Sequence, residues 1–184
     1  MLDAAQFKNT FNTLQDLIKA GKIEAGHDIG SGGFITTLLE LCFADRNLGA
    51  SLDLSALGGQ DVIAKLFAEN IGIVFQADAS AEAVLAANGV TYHKIGNVTA
   101  NATLEIKDVT GNWSFDIDHL RDVWSKTSYL LDQKQSGEVK AKERFDNYKN
   151  HVLNYNFPLS FDGKKPVIDA SKPRPKASQN CFPV

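Results

Sequence analysis

Cysteine is nearly absent from this 184-residue chain: Cys42 and Cys181 are the only two, too few for a disulfide framework, and no Cys/His spacing fits a zinc site. A reducing, cytoplasmic setting is the expectation that follows. No long apolar run occurs either. The richest stretch, Gly33 to Ala44, is broken by Thr36, Thr37 and Glu40 and is too short to cross a bilayer. The N-terminal Met-Leu-Asp-Ala-Ala-Gln has neither the basic nor the apolar region of an export leader. Charge of one sign is lacking too: 19 Lys+Arg against 22 Asp+Glu leave a net −3, so neither a nucleic acid nor a membrane is expected as a partner. What is present is material for a core. With 43% apolar residues, the chain can build one large domain or one domain with an extension.

The charge divides near residue 133. Residues 1–133 carry 9 basic and 17 acidic side chains, a net −8, and residues 134–184 carry 10 and 5, a net +5. Lys140, Lys142, Arg144 and Lys149 alternate with Glu138, Glu143 and Asp146, the pattern of a solvated helix rather than of a polyanion-binding face. Upstream, Phe7, Phe11, Leu14, Leu17 and Ile18 keep helical spacing until Gly21. Ile23 to Ile29 reads as a short strand, and Gly30-Ser31-Gly32-Gly33 as a turn into an apolar, buried helix. Ala50 to Leu54 alternates as a half-buried strand, Val62 to Phe67 returns to helical spacing, and Ile71 to Ala77 is a strand. Ser80 is expected to cap the next helix and Asn88-Gly89 to stop it, with Val90 to Val98 extended beyond. Leu104 and Ile106, the Thr110-Gly111-Asn112 turn, and Trp113, Phe115 and Ile117 read as a hairpin. A long helix follows, capped by Asp116 or Asp118, and then a second carrying Phe145, Tyr148, Val152 and Tyr155. All five prolines stand at Pro158 or later, so 158–184 reads as an extended linker.

One constellation has readable chemistry. His27-Asp28-Ile29-Gly30-Ser31-Gly32-Gly33 sits between a strand and a helix. Glycines there let a ligand approach the backbone, and the N–H groups and dipole of a helix start attract an anion such as phosphate. Asp28, at a strand end, offers the hard oxygen that Mg²⁺ prefers while the metal keeps waters and phosphate oxygens as its other ligands. Together they suggest Mg-nucleotide binding at Asp28, Gly30, Ser31, Gly32 and Gly33, while on the residues alone such a turn more often just permits a tight connection. No Walker lysine follows, so this is not a P-loop. His27 reads as structural and Cys42, among Leu38, Leu39, Leu41 and Phe43, as a core residue. Trp124 and Tyr129 could stack on a base, but their helical spacing beside Leu120 and Val123 favours packing.

At His27-Asp28 and the paired glycines the sequence resembles the phosphoribosylformylglycinamidine synthase family, specifically the second C-terminal domain of the AIR-synthase-related type in the large single-chain form. The family runs His-Asp-Ile/Val-Ser-x-Gly-Gly-Leu there, where this chain has His27 to Phe34. Leu66-Phe67-Ala68-Glu69-Asn70-Ile71-Gly72 is similar to its Leu-Phe-x-Glu-Glu-x-Gly block, and His93 to Val98 to its His-x-Ile-Gly-x-Val strand. Leu120 to Tyr129 is similar to a Leu-Arg-x-x-Trp-x-x-Thr-Ser-Tyr segment.

The resemblance implies an α+β fold, a layered α/β sandwich with a mixed, largely antiparallel sheet and a C-terminal helical extension. The domain would span 1–116, the extension 117–157, and 158–184 would lead toward a glutaminase domain that this chain lacks. The chain would be part of an enzyme that uses ATP and glutamine to convert formylglycinamide ribonucleotide to the amidine, with sibling AIR-synthase-type domains as partners. Asp28 matches the family's Mg²⁺ ligand. Gly30 stands where the family usually has a serine that touches ATP or ADP, so that contact would pass to the backbone or to Ser31. The bound nucleotide would serve turnover, or only stability in a scaffold domain; a different reaction of the same superfamily is the third alternative. Cys181 is not expected to be the glutaminase nucleophile.

Overall fold

The computed structural model describes residues 3–59 and 61–150. The chain divides into a compact unit, Met1–Lys149, and a second, Asn150–Val184. Beyond Asn150 the second unit lies outside the described residues, and with it Val152, Tyr155, the proline-rich 158–184 and Cys181.

Asp3 opens α1 (Ala4–Lys19) by accepting the N–H groups of Ala5 and Gln6. Of the apolar stripe, α1 buries Leu14 and Leu17; Phe7 and Phe11 stack on each other in solvent. There follow β1 (Ile23–Asp28), α2 (Gly33–Cys42), β2 (Gly49–Asp53), a 3₁₀ turn (Ser55–Leu57), α3 (Val62–Phe67), β3 (Ile73–Ala77) and α4 (Ala79–Ala87). The chain then forms β4 (Gly96–Thr99), β5 (Thr103–Asp108), β6 (Gly111–Asp116), α5 (Ile117–Ser136) and α6 (Glu138–Asn147). The hairpin, the long helix and the α4 stop at Gly89 stand where the sequence placed them, except that Ile117 opens α5 instead of ending the hairpin. Of the two caps expected for α5, Asp116 is the one used, accepting the His119 N–H. Two expectations are corrected. Asp78, not Ser80, caps α4, because its carboxylate reaches the Ser80 N–H. Of Val90 to Val98, only Gly96 onward pairs as a strand, Ile95 instead giving its carbonyl to Asp53 N–H.

The strands form two sheets. β1 and β3 pair antiparallel, while the other four run in the order β4-β2-β5-β6, antiparallel at both outer pairs and parallel between β2 and β5. The fold is thus mixed α/β with a largely antiparallel pattern. Alternation in β5 sends Leu104, Ile106 and Asp108 inward. Leu104 and Ile106 meet Phe34, Ile35 and Leu38 of α2, Val62 and Leu66 of α3, and Ile117 at the start of α5. A second cluster joins Leu14 and Leu17 of α1 to Ala81 and Leu85 of α4 and to Val90. The two-stranded sheet separates the clusters: Val74 packs on the first, and Phe75 and Ala77 on the second. Full burial of a side chain such as Leu104 contributes roughly 1.5–3 kcal/mol. None of the helices in the described residues is long and apolar enough to cross a membrane.

Candidate functional site

β1 ends at Asp28 and α2 begins at Gly33, so the four-residue turn Ile29 to Gly32 delivers the chain from a sheet edge into a buried helix. Three bonds fix it. Ile29 N–H donates to Gly72 O, Gly33 N–H to Gly30 O, and Thr37 Oγ1 to Asp28 O at 3.2 Å. Thr37 is wholly buried and also reaches Gly33 O, tying the strand end to the first turn of the helix. Thr36 does the same from the outer side, donating to Gly32 O at 3.0 Å.

The glycine that opens the helix has a packing duty. Gly33 has φ 74°, in the left-handed region, and a Cβ there would lie 2.6 Å from the Phe67 carbonyl carbon. The start of α2 can therefore press against the end of α3 only if residue 33 has no side chain. That approach carries Glu69, just past α3, onto the turn, where its Oε1 accepts the Gly32 N–H at 2.8 Å. The amides expected to meet a phosphate are thus engaged within the chain, Gly32 by Glu69 and Gly33 by Gly30. Glu69 escaped the sequence reading because its partner lies 37 residues away. The Leu66 to Gly72 block was its one signal.

Asp28 points outward. Its side chain is 83% exposed, with His27 Nδ1 3.7 Å from Oδ1. His27 is held on both sides, Nδ1 donating to Asp28 O and Nε2 facing Glu40 Oε2 at 3.3 Å, which agrees with a structural role. Ser31 and Gly30 are exposed, and a Cβ on Gly30 would meet open space, so the serine usual at that position would fit without strain. Among the described residues no group of three or more His, Cys, Asp or Glu could hold a metal. One exposed carboxylate would suit a cation of the Mg²⁺ kind, which can take a single carboxylate and complete its shell with water and phosphate.

Other candidates fall outside this turn. Cys42 is half-buried at the end of α2, and burial pushes its thiol up despite the nearby Arg121 cation. It is a packing residue, not a nucleophile. Tyr129 stacks on Phe145 with ring centroids 4.6 Å apart, so it is committed to joining α5 and α6. Trp124 departs from expectation: it touches Phe43 at 6.5 Å but remains 57% exposed.

With this geometry in view, three comparisons bear on it. A protein from Arabidopsis thaliana, named probable phosphoribosylformylglycinamidine synthase, chloroplastic/mitochondrial, is 38% identical over 138 residues, which cover 72% of this chain but 10% of that protein. The structure titled T. maritima PurL complexed with ATP superposes with a TM-score of 0.52 at 18% identity, over 61% of this chain and 21% of that one. PurLQS from Thermotoga maritima gives 0.51 at 17% identity, over 60% of this chain and 20% of that one. The chain therefore spans a tenth of the plant relative's length and about a fifth of each bacterial chain. The family described as AIR synthase related protein, C-terminal domain, matches residues 1–109, from α1 into the β5–β6 hairpin, and this chain belongs to it.

Proposed function

We propose that this chain is one domain of a phosphoribosylformylglycinamidine synthase, the ATP- and glutamine-dependent ligase that makes formylglycinamidine ribonucleotide, and that its part is a Mg-nucleotide site at Asp28 and the Gly30–Gly33 turn. The observation that carries the reading is the identity to the plant protein across 72% of the chain, together with an exposed carboxylate at the strand end. The bacterial relatives' titles name complexes with ATP, AMPPCP and ADP. Asp28 would hold the cation, and Ser31 and the remaining turn backbone would face the phosphates. Mg²⁺, when bound, supplies charge neutralisation for the polyphosphate. Sibling AIR-synthase-type and glutaminase domains would complete the enzyme. The compartment need only be reducing and supply ATP; cytoplasm suits the cysteine usage, and the plant relative's name gives chloroplast and mitochondrion.

Within this reading, a stabilising nucleotide is favoured over a turnover site. Glu69 already satisfies the Gly32 amide, so bound anion has fewer donors left at the helix start than a transferring phosphoryl group requires. Ligand would then stabilise the fold by mass action. Thermal unfolding of the chain with and without Mg-ADP tests this. A magnesium-dependent rise in Tm that vanishes in Asp28→Asn is expected, with no synthase turnover by the chain alone. An equal rise in the variant would remove Asp28 from the site.

A further inference from the structure

Glu69 stands where a phosphate oxygen would. Its Oε1 accepts the Gly32 N–H at 2.8 Å, directly ahead of Gly33, the first residue of α2. That amide has one hydrogen, so two anions cannot both take it in good geometry, and their like charges repel at such a range. A helix start of the kind that attracts anions is thus supplied with an anion by its own chain.

The mounting of this carboxylate is specific. The segment that carries it is fastened to the turn on both sides. Before it, the Gly33 backbone comes so near that a Cβ there would lie 2.8 Å from both the Cα and the carbonyl oxygen of Phe67. After it, Gly72 O accepts the Ile29 N–H at 2.9 Å, and a Cβ on Gly72 would lie 2.9 Å from Ile29 Cδ1. The backbone on either side of residue 69 is anchored, yet Glu69 itself is exposed. Among the described residues the Gly32 amide is its one hydrogen-bond partner, and no cation pairs with it. The side chain can therefore leave the amide for water without opening the core, pivoting on a fixed backbone.

We infer that Glu69 is an internal competitor for the phosphate of the nucleotide: the Gly32 N–H is open to a phosphate oxygen only while Glu69 is swung away, so this residue limits the affinity of the turn. This rests on the proposed Mg-nucleotide site and adds the residue that regulates it. A charge-assisted bond at an exposed amide keeps roughly nine molecules in ten closed, which lowers the apparent affinity about tenfold. Nucleotide binding and the Glu69–Gly32 contact are then mutually exclusive.

Calorimetric titration of the full chain with Mg-ADP, in wild type, Glu69→Gln and Glu69→Ala, tests this, with the Glu69 side-chain carboxyl resonance followed by ¹³C NMR in the wild type. Glu69→Gln keeps an acceptor for the Gly32 N–H but removes the charge, and Glu69→Ala frees the amide. The dissociation constant should fall about threefold in the first and about tenfold in the second, and the carboxyl resonance should move as ligand releases the contact. A residue that merely shaped the turn would do the reverse, its removal weakening the ligand. Equal or weaker binding in both variants, while Asp28→Asn still abolishes binding to the wild type, overturns the competition and leaves the nucleotide site standing. No binding to the wild type or to either variant overturns both. Should Glu69→Ala fail to fold, as circular dichroism would show, Glu69→Gln decides by the same sign.

Discussion

Leu54, Leu104, Ile106 and Ile117 are sealed from solvent where the four-stranded sheet meets α2, α3 and the start of α5, whereas α6 buries only Ala141. The difference continues in the bonds. α6 grips α5 through Arg144 on Asp132, Tyr148 on Asp122 at 2.8 Å, Lys149 on Asp122 at 2.8 Å, and the Tyr129–Phe145 stack. The sheet region has two ion pairs, Lys107–Asp53 at 2.9 Å on the surface across β5 and β2, and Lys65–Asp108 at 2.8 Å, which is sunk beneath it. Apolar burial thus sets the stability around the sheet, while polar contacts set the position of α6. Solvent-exposed pairs of the second kind contribute little each, about 0–1 kcal/mol.

The largest break in this contrast should come from Leu104→Ala, which removes a fully buried side chain between β2 and β6. A loss of about 2–5 kcal/mol in denaturant unfolding is expected, because the tightly packed site leaves a cavity. Gly33→Ala should follow, at roughly 1–3 kcal/mol from backbone strain, with a further loss from the Phe67 contact. Its second signature is release of Glu69, seen as faster hydrogen exchange at the Gly32 amide.

Two pH profiles sharpen the comparison. Lys65 holds the Asp108 carboxyl below the usual carboxylate range, so the folded state binds this proton less readily than the unfolded chain. Its stabilisation is present at neutral pH and fades as pH drops below about 3.9. Asp108→Asn should flatten the acid limb of Tm against pH and lower Tm at neutrality. Beside α6 the sign is opposite. Burial, with the bond to Asp122, pushes Tyr148 up to about 12, so its stabilisation is full below the ordinary tyrosine range and is lost as pH rises through about 12. Tyr148→Phe should remove that alkaline dependence and speed exchange of α6 amides, with the smallest change in global Tm of the set.

Much of this fold was legible locally. The alternation Leu104, Ile106 and Trp113, Phe115 around a Gly-containing turn could only be a hairpin with one buried face, and β5 and β6 pair in that register. The α4 cap was missed by two residues because a serine and an aspartate near a helix start offer the same bond, and the aspartate's reach decided it. Two sheets were not legible, since strand pairing is non-local: β1 pairs β3, and β2 runs parallel to β5, across intervening helices. At the site, Asp28 and the glycines were visible as a strand-to-helix turn. Glu69 was not, because only tertiary packing of α3 on Gly33 brings its carboxylate to the helix start. Trp124 was assigned to packing from periodicity, which locates an apolar face without saying what covers it.

Amide shifts of the ¹⁵N-labelled chain during titration with Mg-ATP test the central reading most directly. Binding at the Asp28 turn should move the Ser31, Gly32 and Gly33 resonances together in a magnesium-dependent way, and Asp28→Asn should abolish the shifts while leaving those of β5 unchanged. Shifts confined to other surfaces, or none with saturating nucleotide, would contradict it.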